Sequence, residues 1–313
     1  MKSLIREIFT VTRRLGRNPL FTGVAIVTLG LGIGANTAIF SLVNGILLKP
    51  LPFEDADELV GVWHAAPALG FDLMNQSPAL HYTYEDEGRS FSEVGMWDNG
   101  TASVTGLEEP EQVEVMRVTE GTFRALRVQP AMGRRFSPED DSPGGPLTVI
   151  LGYDYWQTRL GGDPGVLGQT LTINGEPREI IGVMGRETRF LRYHPALYLP
   201  FRFNRAELSV GNFSYQALAR LNPGVSLEQA NSDVERMIPM AVEKFPGGIS
   251  LEMLRNAQFG ARVRPLKADV VGSVGEVLWV LLGTVAMILL IACGNVGNLF
   301  LVRAEGREKE MAL

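Results

Sequence analysis

The chain has 313 residues, of which 45% are hydrophobic and 20% are charged, and its net charge at neutral pH is -6. This acidic balance argues against nucleic-acid binding, which needs a basic face to displace phosphate counterions. Cys293 is the single cysteine, so stability has to come from a packed core rather than from an internal disulfide.

The first predicted element is a transmembrane helix at residues 20–48. Residues 1–19 carry five basic side chains and one acidic side chain, and the next charged residue is Lys49. At about 1.5 Å per residue, the charge-free run exceeds the roughly 30 Å hydrocarbon core of a bilayer. A cleaved signal peptide is the alternative, but the apolar stretch is about twice the usual length of a signal sequence.

A second charge-free run, Val277–Val302, predicts another transmembrane helix at residues 276–302. Trp279 lies near its start, where an aromatic side chain suits the membrane interface. A buried helix of a soluble protein is the alternative for both runs, and their length argues against it.

The distribution of charge predicts the orientation in the membrane. Segments rich in Lys and Arg stay in the cytoplasm, which applies to residues 1–19. The tail begins with Arg303 and also carries Arg307 and Lys309, although three glutamates balance their charge. The segment between the two helices carries the acidic excess. We therefore expect a multi-pass membrane protein with both termini cytoplasmic and residues 49–275 outside the cytoplasm.

The external segment has strand and helix patterns at both ends and more strands and turns in its middle. Alternating or β-rich runs predict strands at Glu58–His64, Phe91–Val104, Gln112–Val118, Thr148–Leu151, Phe213–Leu221 and Arg262–Leu266. Helical patterns occupy Pro78–Gly88, Glu120–Arg127 and Tyr153–Leu160. This order predicts an α+β domain with a small β-rich insertion.

Two local signals in this segment are specific. β-rich runs flank Asn174-Gly175, which predicts a hairpin because both turn positions require a positive φ. Ser226 followed by Gln229 predicts a capping box at the start of a helix that reaches about Lys244.

Several motifs occur in an order that resembles one known family. The run NPLFT followed by LGLGIGANTAIFSLVNGILLKPLPF is similar to the opening of MacB-like ABC-transporter permeases, particularly the long duplicated permeases of acidobacterial type. TFRALRVQPAMGRRFSPEDD and ILGYDYWQTRLGGDPGVLGQTLTINGEPREIIGVM resemble two blocks of the MacB-type periplasmic core domain. Leu197-Tyr198-Leu199-Pro200 resembles the family's short strand that ends in proline. These matches span nearly the whole chain.

The resemblance implies a Porter-like βαβ domain with a β-rich, Sabre-like insertion at about residues 130–205, flanked by two transmembrane helices. It also implies that the membrane is the cell inner membrane and that residues 49–275 are periplasmic. Such permeases have four membrane helices per unit, form dimers and pair with cytoplasmic ATPases. Residues 303–313 resemble the start of the cytoplasmic coupling segment of an FtsX-like domain, with Arg303, Glu305, Arg307 and Lys309 as candidate contacts to the ATPase. Because only two membrane helices are present, we expect a truncated gene product, a fragment or half of a split permease that does not transport on its own.

Small and polar residues in the membrane runs are candidates for helix packing. Gly30 and Gly34 offer a small face for close helix contact, although glycine is common in membrane helices in any case. A nucleotide-binding loop is excluded because these glycines do not follow a strand. An amide in hydrocarbon costs free energy unless it is bonded, so Asn36 and Asn295 are expected to face protein.

The chain lacks the patterns of an enzyme. It contains no Walker A sequence and no G-x-S-x-G motif, and its three histidines lack the spacing of a metal site. Asp140-Asp141 suggests a cation site superficially, but the surrounding Ser/Pro/Gly turn predicts that both side chains are solvated. We expect no catalytic residue, cofactor or metal.

Three hypotheses about function follow. The leading hypothesis is a permease subunit, or a fragment of one, that conveys ATPase-driven motion to the external domain for efflux or mechanotransmission. Its partners would be a cytoplasmic ABC ATPase, a second copy or a second permease half, membrane lipid and possibly a periplasmic adaptor. A two-helix sensor that binds a ligand or partner outside the cell is the alternative, and a membrane-tethered external enzyme is the third.

Overall fold

The computed structural model describes residues 19–107, 109–188, 190–272 and 274–311. The chain divides into two compact units, one formed by Pro50–Val270 and the other by the flanking sequences. The basic segment predicted at residues 1–19 lies almost wholly outside the described residues.

The described residues form the following helices and strands. The α-helices are α1 Pro19–Val43, α2 Pro78–Glu87, α3 Glu120–Ala125, α4 Tyr153–Arg159, α5 Leu227–Lys244, α6 Leu251–Asn256, α7 Leu266–Val271 and α8 Val274–Met311. The strands are β1 Leu59–Ala66, β2 Phe71–Met74, β3 Phe91–Thr105, β4 Glu111–Val118, β5 Met132–Gly133, β6 Thr148–Leu151, β7 Thr170–Ile173, β8 Glu176–Val183, β9 Leu197–Pro200, β10 Gln216–Leu221 and β11 Gly260–Pro265.

The flanking unit consists of the two apolar helices. α1 continues as a π-helical turn, Asn44–Leu48, and α8 runs without a break from the apolar sequence into the charged tail. Thr22–Leu48 and Val274–Asn298 are long and apolar enough to cross a membrane, and only 11% of each hydrophobic window is buried. The core helix of a soluble protein would be mostly buried, so this exposure favours the membrane interpretation.

The two helices pack antiparallel along a seam. A β-carbon added to Gly32 would lie 2.9 Å from Leu289 Cδ1, and one added to Gly275 would lie 3.3 Å from Leu47 Cδ2. Spacings of three and four residues alternate along a poorly exposed face of α1, at Ala25, Leu29, Gly32, Asn36, Ile39 and Val43. The same spacing recurs on α8, at Leu278, Leu282, Val285, Leu289, Ala292 and Val296. This is the seven-residue repeat of helices that supercoil around each other.

The central unit is built on one mixed sheet. Its strand order is β11-β1-β10-β3-β4-β9-β6-β8-β5, with β2 added to β1 and with β7 paired to β3 and β8. The pairs β4/β9 and β6/β8 are parallel, and the other pairs are antiparallel. The α+β fold class is confirmed. Strands from the segment expected to be an insertion, residues 130–205, join this sheet through β9 and β7, and the domain bounds stay a prediction.

Three apolar clusters hold the sheet to its helices. In the first, α2 and α5 cover one face of the sheet with side chains such as Leu80 and Ile238. The second surrounds Phe123 of α3, and the third fills the β-rich part around Val149 and Leu151 and their neighbours on β7 to β9. Each fully buried aliphatic or aromatic side chain contributes about 1.5–3 kcal/mol of transfer free energy, so these clusters provide most of the domain's stability.

Two turn and cap motifs in the sequence correctly predicted local structure. Asn174 and Gly175 have φ values of 52° and 81°, as the predicted hairpin turn requires, and both bonds of the capping box at Ser226 and Gln229 are present. The strand expected at Phe213–Leu221 begins three residues later, after a loop in which Asn212 has a left-handed backbone (φ 51°). β2, β5, α6 and α7 were not predicted, because they are short and their sequences carry no clear period.

Side chains of α5 close the outer edge of β11. The Val263 amide donates to Asn231 Oδ1 (2.8 Å), and Asn231 Nδ2 donates to the Val263 carbonyl (3.1 Å). The Ala261 amide donates to Glu235 Oε1 at 2.7 Å. Asn231 and Glu235 lie one helical turn apart and therefore face the same strand. Their side chains take the hydrogen-bonding positions that a neighbouring strand would occupy, so no further strand can pair with this edge of β11.

The seam predicts that Gly32, rather than Gly30, controls the pairing of α1 with α8. A leucine at position 32 has no room against Leu289, whereas a leucine at position 30 points into open space. Disulfide formation between Leu47→Cys and Gly275→Cys, in a Cys293→Ser background, measures the pairing. We expect Gly32→Leu to slow this reaction at least fivefold and Gly30→Leu to leave it unchanged. Equal rates in the two variants would contradict the seam.

Candidate functional site

The chain enters the central unit through a segment that a buried arginine holds in place. Arg220 of β10 is 2% exposed. Its guanidinium donates to the carbonyls of Glu54 (2.8 Å), Asp55 (3.0 Å) and Ala125 (2.8 Å), and to Glu58 Oε2 (3.0 Å). A guanidinium carries five N–H donors in a fixed plane, and here they join three segments of the chain. We call this set of bonds the first clamp.

Arg127 adds a second, exposed layer to the first clamp. It follows α3 with a left-handed backbone (φ 55°), and its guanidinium contacts the carboxylates of Glu54, Asp55 and Glu58. Glu58 is therefore shared between Arg127 and Arg220. Exposed ion pairs contribute little to stability, so Arg220 is the stronger of the two contacts.

The chain leaves the central unit through a second clamp, which is centred on Asp269 of α7. Its Oδ2 accepts a hydrogen bond from Trp63 Nε1 (2.7 Å), and its Oδ1 contacts the Arg264 guanidinium. Burial raises the pKa of Asp269, and the bonds from Trp63 and Arg264 partly oppose this shift. A β-carbon on Gly61 would lie 1.8 Å from Asp269 Oδ2, so the clamp needs glycine at that position.

Both clamps meet on β1. Leu59, at the start of this strand, pairs with Arg220 of β10, and Gly61 and Trp63 of the same strand contact Asp269. β1 lies between β10 and β11 and is hydrogen-bonded to both. β1 therefore contacts both the entering and the leaving segment of the central unit.

The residues predicted for helix packing lie on different faces of the membrane helices. Asn36 lies on the seam between α1 and α8, and Asn295 is exposed. Added β-carbons at Gly30 and Gly34 would meet nothing within 4 Å, whereas Gly32, which was not predicted, contacts α8. The three-and-four spacing of apolar residues was the signal that would have identified Gly32. A role for Gly30, Gly34 and Asn295 stays a prediction about other helices.

The predicted ATPase contacts all lie on α8. The backbone is helical through Met311, so Arg303, Glu305, Arg307 and Lys309 follow the apolar run without an intervening loop. Their assignment as contacts remains a prediction.

The expectation that Asp140 and Asp141 are solvated is wrong, because both side chains are buried. Asp140 accepts bonds from the Ser137 amide (2.7 Å) and hydroxyl (2.8 Å) and from Arg134. Burial alone would raise the pKa of Asp140, but these bonds outweigh it and hold the pKa below its usual value. The sequence correctly predicted a turn here. The two carboxylates point into the protein because they accept hydrogen bonds from backbone amides that have no backbone carbonyl as partner.

Asp141 connects the start of α3 with the segment that follows β9. It accepts hydrogen bonds from the amides of Glu120 (3.1 Å) and Arg202 (2.8 Å). Burial raises the pKa of Asp141 to about 6, and these amide bonds only partly offset it. The nearby carboxylate of Glu85 raises it further.

The histidines do not form a metal site. His64 is buried, with Nε2 2.8 Å from the Tyr84 hydroxyl, and burial lowers its pKa to about 4. His81 is buried and its pKa is lowered to about 3, again by burial first, whereas His194 is exposed. Within the described part of the chain, no group of three His, Cys, Asp or Glu side chains is arranged to hold a metal ion.

The sequence matches a family profile and one curated relative. The profile of the MacB-like periplasmic core domain matches residues 22–237. YknZ of Bacillus subtilis (strain 168), described as an uncharacterized ABC transporter permease, is 22% identical over 208 residues. The match covers 66% of this chain and 49% of the relative, so the chain spans about half the length of that protein.

A solved structure shares the fold, and a second solved structure is similar to part of the chain. A domain of a permease-like protein from Porphyromonas gingivalis superposes with a TM-score of 0.51 at 17% identity, covering 68% of this chain and 92% of that domain. The periplasmic region of MacB from Actinobacillus actinomycetemcomitans gives a TM-score of 0.49 at 14% identity, with coverage of 76% and 98%.

The first clamp predicts a large loss of stability when Arg220 is replaced. Arg220→Met removes a donor from three backbone carbonyls and from Glu58, so we expect the free energy of unfolding to fall by about 3 kcal/mol. Urea unfolding of the full chain in detergent, followed by tryptophan fluorescence, measures this change. Arg127→Met is the control and should change stability much less. An equal fall in the free energy of unfolding for both variants would mean that the exposed Arg127 contributes as much stability as the buried Arg220.

Asp141 predicts a pH dependence of stability. Because its pKa in the folded state, about 6, lies above the ordinary value of 3.8, the folded state binds more protons between these values. Stability from this group therefore rises as the pH falls from 7 to 5, by about 1 kcal/mol. The same unfolding measurement should show this rise in the wild type and a weaker rise in Asp141→Asn. Parallel curves for the two proteins would show that Asp141 does not titrate here.

Proposed function

The chain belongs to the family of MacB-like periplasmic core domains, and on this basis we propose that it is a permease subunit, or part of one, of a MacB/FtsX-like ABC transporter. Its role is to pass motion that an ATPase generates to the external domain, for efflux or mechanotransmission. The chain itself carries out no catalysis in this proposal, and ATP hydrolysis belongs to a partner.

The observation that carries the proposal is the convergence of both clamps on β1. A domain that is only anchored needs one firm connection, and a flexible linker suffices for the second. Here a buried guanidinium holds the incoming connection, and a carboxylate buried beside Trp63 holds the outgoing one. Two stiff connections to one strand suit a domain that is moved by its helices.

The proposed placement follows from the charge distribution. α1 and α8 cross the inner membrane, both termini are cytoplasmic and the central unit is periplasmic. The exposed faces of α1 and α8 contact lipid and further helices, supplied by a second copy or a second permease half. A periplasmic adaptor is a further partner in this proposal. The two-helix pattern that suggested a sensor is equally consistent with membership of this family.

The charged end of α8 is the proposed contact with the ATPase. A helix that continues from the membrane sequence to Met311 couples movement at its cytoplasmic end to the apolar part, because no loop absorbs the displacement. Arg307 and Lys309 supply positive charge in this segment, and the proposal assigns them to the contact with the ATPase.

The proposal predicts that reversing charge at the end of α8 weakens ATPase binding. In membranes from cells that also express the ATPase encoded beside this chain, we expect the ATPase to co-purify with the wild type. Arg307→Glu combined with Lys309→Glu should reduce the recovered ATPase about tenfold, which corresponds to about 1.4 kcal/mol. Arg186→Glu combined with Arg192→Glu, an equal change of charge on exposed residues of the external domain, serves as the control.

Failure of the wild-type chain to retain the ATPase would overturn the permease proposal. Equal recovery with all three proteins would leave the family assignment intact but would place the contact elsewhere.

A further inference from the structure

One edge of the sheet is open and apolar. β1 and β2 form a hairpin that turns through Pro67–Leu69 and Gly70, whose φ of 78° suits glycine. β2 pairs only with β1 among the described strands, so its outer backbone edge has no strand beside it. β11, in contrast, has its outer edge covered by side chains of α5.

Exposed apolar side chains concentrate around this edge. Of the large hydrophobic side chains that are exposed in the described part of the central unit, four lie on the hairpin and on α6: Leu69 (63%), Phe71 (51%), Leu73 (38%) and Met253 (59%). The remaining one is Leu167 (37%). A hydrogen bond from the Ala68 amide to the Ala257 carbonyl (3.3 Å) joins the hairpin to the end of α6.

The alternation along β2 defines what the edge can recognise. Phe71 and Leu73 lie on one face of the strand and Asp72 on the other, because successive side chains of a strand point to opposite faces. Asp72 is exposed. A strand added beside β2 therefore meets an apolar surface on one face and a carboxylate on the other.

These features favour a partner protein over a second copy of this chain. Residues 50–270 carry an excess of about ten acidic side chains. In an antiparallel pair of two β2 strands centred on Asp72, the two carboxylates would face each other, and like charges directly opposite destabilise a sheet. A basic side chain opposite Asp72 removes this cost.

We propose that the outer edge of β2 binds an extended segment of a partner protein that has an apolar–basic–apolar sequence, by adding it as a further strand. Backbone hydrogen bonds to the free edge give the affinity, and Phe71, Asp72 and Leu73 select the side chains. The inference does not depend on the permease proposal, because the edge belongs to the central unit alone.

The test uses the full chain in nanodiscs and fluorescent peptides of fixed sequence. The binding probe is Thr-Val-Lys-Val-Thr. A second peptide has Glu in place of Lys, and a third carries N-methyl groups on alternate amides, which removes the backbone donors along one edge. Fluorescence anisotropy measures the affinity of each peptide.

We expect the Lys peptide to bind, the N-methylated peptide to bind at least tenfold more weakly, and the Glu peptide to bind more weakly than the Lys peptide. Leu73→Ser should weaken binding of the Lys peptide at least fivefold. Leu167→Ser is the matched control, because Leu167 is almost as exposed as Leu73 and lies outside the hairpin, and it should have no effect. Asp72→Lys should reverse the preference, so that the Glu peptide binds better.

Three results would overturn the proposal. Equal binding of the N-methylated and unmodified peptides would show non-specific apolar contact with no added strand. Dimerisation of the wild type that Leu73→Ser abolishes, without peptide binding, would assign the edge to a second copy. No measurable binding of any peptide to the wild type would show that the edge does not accept a strand of this chemistry.

Discussion

The architecture of the central unit depends on burying one guanidinium. A cation inside a sheet is costly unless its donors are satisfied, and Arg220 meets this requirement with acceptors from the entering segment, from the end of α3 and from Glu58. These segments are far apart in sequence, so the buried charge fixes their relative position. The cost of breaking this set of bonds makes the connection stiff, which is the property that the proposed transmission of motion requires.

Other buried polar groups of this domain are likewise stabilised by hydrogen bonds. Asp140, Asp141 and Asp269 each accept hydrogen bonds where the backbone or an indole would otherwise lack an acceptor. Asn231 and Glu235 do so for the free edge of β11. Polar side chains thus join loops and edges, while the three apolar clusters supply most of the stability.

Local patterns were predictable from the sequence, and long-range contacts were not. The hairpin at Asn174-Gly175 and the capping box at Ser226 depend on neighbouring residues only, so their signals sufficed. Arg220 stands within an ordinary strand pattern, and its partners are more than 90 residues away in sequence, so no spacing reveals the clamp. In α1, the spacing of glycines led to Gly30 and Gly34, whose role stays a prediction. The heptad pattern would in addition have indicated Gly32, which lies in the seam. Asp140 and Asp141 were misjudged because composition indicates a turn but does not show which way the turn faces.

The unbroken length of α8 has a consequence for the kind of motion it conveys. Its 38 residues span about 57 Å, roughly twice the hydrocarbon thickness of a bilayer. A loop in the middle of such a segment would transmit tension but would let the two halves turn independently. In a continuous helix every turn is hydrogen-bonded to the next, so the rod resists twisting as well as stretching. In the proposed role, torque applied at the charged end of α8 therefore reaches Val274, and the helix passes on rotation about its axis as well as translation.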